Sequence, residues 1–308
     1  SIFSIIIQGN VCVSLDFFVE VLNLKSLKKI IAIILTVTFC IGIISVSASA
    51  KEKLNYLLLG DSIAEGFGIT NPDEASYGKI IADTNGYNYK NDAIMGRNSV
   101  GLVNHLTNDE EYINDVKWAD IISVSIGGND FLLDHAALLI VEGIIFNDYS
   151  KFDKIGETFY ENFSKSMDRI HEINPNAKIL VQLLYTSWTF DFARKPYKQA
   201  AKRINDAIIK YVEENPQNIY VVDTSEVFDG RRDCISTDTI HPNAQGNIEL
   251  AKAVQSKLCE IGLANTAELV LLVPGIDRDY LIEYFGTPLG QIIIFAANVA
   301  TGNFNFAF

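Results

Sequence analysis

Three scarcities narrow what this 308-residue chain can be. Cysteine is one. Only Cys12, Cys40, Cys234 and Cys259 occur, with no CxxC pair and no histidine set nearby, which argues against a zinc site. Basic charge is the second. Lys and Arg total 25 against 38 Asp and Glu, a formal net charge of −13, whereas a nucleic-acid partner wants a basic face. The third is any break between about residues 53 and 262: no internal repeat and no shift of composition divides that stretch. What is present is a globular composition, 48% hydrophobic and 20% charged, with length for one large domain or two small ones.

The N-terminal region reads as a targeting segment rather than as fold. Lys25, Lys28 and Lys29 precede the nearly unbroken apolar run Ile30–Val46, and Ala48-Ser49-Ala50 supplies a small-residue cleavage pattern. Residues 23–50 are therefore expected to be a secretory signal peptide cleaved after Ala50, giving a secreted protein. The rival is a membrane anchor through residues 30–46, since the run approaches the about 17–25 residues that a span needs. Phe39, a bulky residue before Cys40, argues against lipidation. Residues 1–22 lie upstream of the signal and do not begin with methionine; they are expected to be an over-extended start or a fragment end, not structure. Cleavage leaves Cys234 and Cys259, free or bridged, since export permits either.

From Lys53 onward, apolar strands alternate with amphipathic helices. Strands are expected at Tyr56–Leu59, Tyr87–Ala93, Ile121–Ile126, Lys178–Leu184 and Ile219–Val222. Helices are expected from Tyr77 to about Asn85-Gly86, over Val100–Leu106, Phe152–Ile173, Lys195–Glu214 and Ala244–Ile261. In Lys195–Glu214 the residues Ala200, Ala201, Ile204, Ala207, Ile208 and Tyr211 share one face. Asn174-Pro175-Asn176 and Asn215-Pro216 act as breakers. This order predicts a three-layer α/β/α sandwich around a five-stranded parallel sheet. The tail, residues 265–308, has no helical period and few charges late on. It reads as an added β element, a partner-docking segment or a misread end of the gene.

Four short stretches fall where a doubly wound sheet gathers its strand ends. They are Gly60-Asp61-Ser62, Gly96, Gly127-Gly128-Asn129-Asp130 and Asp238-Thr239-Ile240-His241-Pro242. Alone, the first is more simply a strand end whose serine caps the next helix. Together they hold what acyl transfer requires. A serine hydroxyl needs a base, and histidine titrates near neutrality. A carboxylate should orient the imidazole, and fixed donors should meet the developing oxyanion. Ser62 is the candidate nucleophile, His241 the base and Asp238, three residues earlier on the same loop, its orienting carboxylate. The oxyanion donors would be the N–H groups of Ser62 and Gly96 and the side-chain amide of Asn129.

These blocks resemble the SGNH, or GDSL-type, hydrolase family. Gly60-Asp61-Ser62-Ile63 with Gly66 is similar to its first block, Gly96 to its second, Gly127-Gly128-Asn129-Asp130 to its third and Asp238-Thr239-Ile240-His241-Pro242 to its fifth. The resemblance spans about residues 60–242 and, around Asn174–Lys178, looks like secreted enzymes of Gram-positive bacteria. It implies a flavodoxin-like α/β/α fold over residues 51–264, carboxylic ester hydrolysis (esterase or lipase), and no metal or cofactor. The implied substrate is a small ester or an acylated glycan or lipid, with cell-surface association open. A cell-surface carbohydrate O-deacetylase or acyltransferase would use the same site. A binding protein on a retired hydrolase scaffold is the non-enzymatic alternative, disfavoured by the complete residue set.

Several residues carry plainer expectations. Arg97 is expected to face solvent, or else to bind an anionic substrate group. His105, His135 and His171 are expected on solvated surfaces, with His135 near enough to Asn129 in sequence to line the site. Asp61 and Asp130 are expected to fix their turns by hydrogen bonds. Asp206 and Asp223 are expected to be structural. Ala136–Tyr149 is apolar throughout and reads as core, or as a lid beside the third block.

Overall fold

The computed structural model describes residue 32, residues 52–132, residue 143, residues 145–186 and residues 191–279. The chain divides into two compact units, Ser1–Glu52 and Lys53–Phe308. Of the first, Ala32 is helical and exposed and Glu52 is exposed; the targeting segment expected at 23–50 otherwise lies outside the described residues.

The second unit is an α/β sandwich. Its strands are β1 (Asn55–Gly60), β2 (Asn88–Asn91), β3 (Ile121–Ser125), β4 (Lys178–Gln182) and β5 (Ile219–Val222). All four pairings are parallel and the order is β2-β1-β3-β4-β5. The helices are α1 (Ser62–Glu65), α2 (Pro72–Ala75), α3 (Tyr77–Asn85), α4 (Ser99–Asn108), α5 (Glu110–Trp118), α6 (Gly128–Leu132), α7 (Ser150–Ile173), α8 (Asp191–Glu214) and α9 (Ala244–Glu260). No helix among the described residues is long and apolar enough to cross a membrane.

The period of two along each strand sorts its side chains between two cores. Leu57, Leu59, Ile122, Val124, Ile179 and Val181 face one core, closed by α4, α5, α7 and α8. Tyr56, Leu58, Ile121 and Leu180 face the other, closed by α3 and α9. Leu57, Leu58 and Leu59 are wholly buried, each contributing about 1.5–3 kcal/mol of transfer free energy. Because both faces are covered, β1 reads as an apolar run rather than an alternation. The predicted face of α8 is buried throughout.

Differences from the sequence-based expectation follow from context. β2 is four residues, not seven; it is an edge strand paired only with β1, and the Asn91 side chain accepts the Ala93 N–H at 3.1 Å, turning the chain away. Helix α5 was not expected, because it buries only Tyr112, Asp115 and Val116. Its signal was local: Asp109 accepts the N–H groups of Glu111 and Tyr112, and Glu110 and Glu111 fill the first turn. Asn174 ends α7 and donates to the carbonyls of Val116 and Ala119, at 2.9 and 2.7 Å, locking that break to the neighbouring helix. Most of Ala136–Tyr149 lies outside the described residues, but Ile145 and Phe146 are exposed, so for them the core expectation is corrected. Cys234 and Cys259 are both free thiols, the first buried.

Candidate active site

The sheet order reverses direction between β1 and β3, and at such a switch point the loops diverge and leave a crevice at the carboxyl ends. β1 delivers Ser62 there. Gly60 leaves the strand at φ +136°, and a Cβ on it would sit 1.9 Å from the Ser125 carbonyl oxygen, so only glycine fits this exit. Asp61, not Ser62, caps α1: its Oδ1 accepts the Ile63 N–H at 3.0 Å. Ser62 is thereby the first helical residue.

β2 leads into the turn Ile94–Arg97, closed by Arg97 N–H donating to the Ile94 carbonyl at 3.1 Å. Gly96 holds φ +77° there, with nothing within 4 Å of a Cβ built on it. The turn conformation, not crowding, calls for glycine. Ile94 N–H donates to the Gly60 carbonyl at 3.0 Å, which ties this turn to the serine's strand. Among the described residues, the N–H groups of Ser62 and Gly96 meet no acceptor. From β3, Asn129 comes in on α6 and its Nδ2 donates to the Arg97 carbonyl at 2.9 Å. That bond uses one amide hydrogen and orients the other.

The candidate base, His241, arrives from the loop before α9. Ser236 N–H donates to the His241 carbonyl at 2.8 Å, and Asn243 N–H to the Cys234 carbonyl at 3.1 Å, which makes a narrow loop. Within it Asp238 Oδ1 accepts from Ser236 Oγ at 2.6 Å, Ile240 N–H at 2.9 Å and His241 N–H at 3.0 Å. Asp238 Oδ2 pairs with His241 Nδ1, and His241 Nε2 lies 2.7 Å from Ser62 Oγ. Burial pushes the Asp238 carboxyl up, but the bond to the His241 ring, its charge, the Ser236 hydroxyl and the His241 N–H together outweigh that and leave it below the usual carboxylate range. Thr239, a β-branched residue, is held at φ +67°, a strained conformation that sequence pattern does not disclose. Asp61, 1% exposed, is pushed up to about 7, chiefly by burial.

The structure thus brings Ser62, Asp238 and His241 into one hydrogen-bonded chain. Gly96 and Asn129 lie on the turns next to it. It does not bring Arg97 there. That side chain is 5% exposed, donates to the Asp92 carbonyl at 3.0 Å and to Tyr112 Oη at 2.9 Å, and covers the Tyr112 ring. Both the solvent and the substrate expectation for Arg97 are corrected; its own carbonyl, not its charge, serves the site. His105 pairs with Asp109 at 3.2 Å and lies against Tyr112 rather than being merely solvated. Asp130 fixes its loop as expected, accepting from Ser99 N–H at 2.9 Å and from the Ser99 hydroxyl. Asp206 pairs with Lys202 on the surface and Asp223 accepts from Ser225 N–H at 3.0 Å. His135 lies outside the described residues. His171 lines a groove of about 580 Å³ at the amino ends of β4 and β5, remote from these residues. A groove of about 330 Å³ adjoins Asn129, with Asn98, Asp130, Lys154 and Thr158 as polar lining and Val100 and Ile155 as apolar lining. Among the described residues no cluster of His, Cys, Asp and Glu could hold a metal ion.

Sequence pattern missed Phe67. Its ring meets the His241 imidazole edge-on at 4.9 Å, and its N–H donates to the Ser62 carbonyl at 3.0 Å. Gly66, which precedes it at φ +86°, was the one available signal of a helix end there.

Comparison with known proteins places the chain in a family. The profile of the GDSL-like lipase/acylhydrolase family matches residues 58–247. The uncharacterized protein YpmR of Bacillus subtilis (strain 168) is 23% identical over 260 residues, covering 79% of this chain and 99% of that protein. Among solved structures, the lipase Lip_vut3 from a goat rumen metagenome is 25% identical with a TM-score of 0.54, over 66% of this chain and 97% of its own. Phospholipase A1 from Streptomyces albidoflavus NA297 is 18% identical with a TM-score of 0.53, over 67% and 99%, a likeness of fold.

Proposed function

Because the chain belongs to the GDSL-like lipase/acylhydrolase family, we propose that it is a secreted serine esterase that opens carboxylic esters through an acyl-enzyme, with Ser62, His241 and Asp238 as its catalytic residues. The observation that carries this is the continuous contact from Ser62 Oγ through both imidazole nitrogens of His241 to Asp238. Ser62 Oγ attacks the ester carbonyl carbon while His241 Nε2 takes its proton. Asp238 holds the imidazole by Nδ1 and stabilises its cation. The carbonyl oxygen becomes an oxyanion facing the N–H groups of Ser62 and Gly96 and the free amide hydrogen of Asn129. Collapse breaks the bond to the alcohol, which leaves with the histidine's proton. Water then attacks the acyl-serine by the same relay, releasing the acid and restoring the hydroxyl.

In this proposal residues 23–50 are the export signal, 51–264 the hydrolase domain and 265–308 a tail. Ser62→Ala should abolish hydrolysis of short p-nitrophenyl esters and labelling by a fluorophosphonate while circular dichroism stays unchanged. Turnover equal to wild type in that variant sinks the assignment. A second reading, a cell-surface carbohydrate O-deacetylase or acyltransferase using the same residues, is favoured by the polar lining of the groove beside Asn129. Release of acetate from acetylated glycans, or acyl transfer to an added alcohol, separates it from simple ester hydrolysis.

A further inference from the structure

The tail does not stop at the last helix. Val270 N–H donates to Thr84 Oγ at 2.9 Å, and the Thr266 carbonyl accepts from Gln255 Nε2 at 2.6 Å, so the segment after α9 is held along α3 and α9. It then reaches the loop that follows the serine. Ile69 and Asp277 form an antiparallel bridge; Thr70 N–H donates to the Ile276 carbonyl at 2.8 Å and Arg278 N–H to the Gly68 carbonyl at 3.1 Å. Asn71 clasps the same strand from both sides, donating to the Pro274 carbonyl at 3.1 Å and accepting the Ile276 N–H at 2.9 Å.

Two side chains of this strand reach toward His241, one at the start of α9 and one on the loop after the serine. Asp277 Oδ1 accepts the N–H of Ala244, the first residue of α9, at 2.8 Å. That N–H is one of the four donors a helix start leaves unmet, and Ala244 is three residues after His241. Arg278 lays its guanidinium 4.6 Å from the centre of the Phe67 ring and donates through Nη1 to the Phe67 carbonyl at 3.2 Å. Phe67 in turn packs edge-on against the His241 imidazole. Gly68, the next residue, is pressed against the Pro242 carbonyl, where a Cβ would sit at 1.9 Å.

We infer that Pro274–Arg278 is a clamp that positions the general base, Asp277 by fixing the start of α9 and Arg278 by holding Phe67 against the imidazole. This rests on His241 being the base. Neither residue touches the reacting atoms; both act through a neighbour and are positioning residues. A mispositioned base slows proton transfer without weakening substrate binding, so the effect belongs to kcat.

The test is steady-state kinetics of the whole protein on a neutral short-chain p-nitrophenyl ester, with the rate constant for fluorophosphonate labelling of Ser62 as a second measurement. That rate constant reports folded molecules only, so partial unfolding does not imitate the effect. Asp277→Ala and Arg278→Ala are each expected to lower kcat and the labelling rate by about 10-fold to about 100-fold with KM within about 2-fold of wild type. Asp277→Asn, which keeps the acceptor, should recover most of the loss, and Arg278→Lys should fall between. The lysine variant carries the arginine arm should the alanine variant not fold. Wild-type kcat in Asp277→Ala and Arg278→Ala overturns the clamp. So does a raised KM at unchanged kcat, which would make Arg278 a substrate contact, or an Asp277→Asn no better than alanine. A wild-type protein that neither opens esters nor labels at Ser62 removes the base assignment and the clamp with it. An active wild type with unaffected variants removes the clamp alone.

Discussion

At the scale of single residues, the site is built by satisfying polar groups, and Asp61 shows the cost. Its carboxyl is buried, accepts the local Ile63 N–H, and is pushed up to about 7, chiefly by burial. An unfolded aspartate titrates near 3.9. Between those values the unfolded chain has released its proton while the folded chain retains it. Stability from this group is therefore full below about pH 4, declines as pH rises, and levels off above about 7. Asp61→Asn keeps the cap and lacks the titration. Its stability relative to wild type should rise from pH 4 to pH 7 in urea melts and then stay flat; a pH-independent difference would refute the assignment. The side chains proposed to be catalytic were legible from residue type and spacing, because acyl transfer demands few kinds of group. Asp61's burial was not, since neighbouring sequence says nothing of which distant side chains remove its water.

At the scale of elements, two glycines beside the site answer to different physics. Gly96 is needed for a left-handed turn and borders open space, whereas the segment holding Gly68 runs against the Pro242 carbonyl. Gly68→Ala should cost roughly 1–3 kcal/mol by forcing the base loop aside, and lower activity in the same measure. Gly96→Ala pays only the left-handed conformation, about 1–2 kcal/mol, and should leave the Pro242 contact intact. Thermal melts beside ester assays distinguish the two; a Gly68→Ala variant as stable and active as wild type would contradict the close approach. The long helices α7, α8 and α9 were readable because one face of each is buried by period. Helix α5 was not, since its stability comes from an aspartate cap and from neighbours rather than from an apolar stripe.

At the scale of the molecule, one parallel sheet covered on both faces converges three strand ends and one late loop on a single edge. The order β2-β1-β3 puts the turns bearing Gly96, Ser62 and Asn129 side by side, although Ser62 and Asn129 are 67 positions apart in sequence. The acidic balance, −13 over the chain, suits a soluble partner or neutral substrate better than a polyanion. Export is the molecular-scale prediction. Expressed in a Gram-positive host, the protein should appear in the medium with Lys51 as its first residue by N-terminal sequencing; recovery only in the membrane fraction with residues 30–46 intact would favour the anchor instead.

The sequence by itself determined the class of fold and singled out the groups proposed to react. Hydrophobic period records which face of each element is buried, and a serine, a histidine and a carboxylate at strand ends leave little other chemistry. Tertiary structure alone decided what surrounds them. Arg97 turned inward onto Tyr112, Phe67 came against His241, and Asp277 and Arg278 came back to the serine's loop from the far end of the chain. Such contacts join residues up to 211 positions apart and depend on packing. Local pattern carries no record of packing between segments so remote.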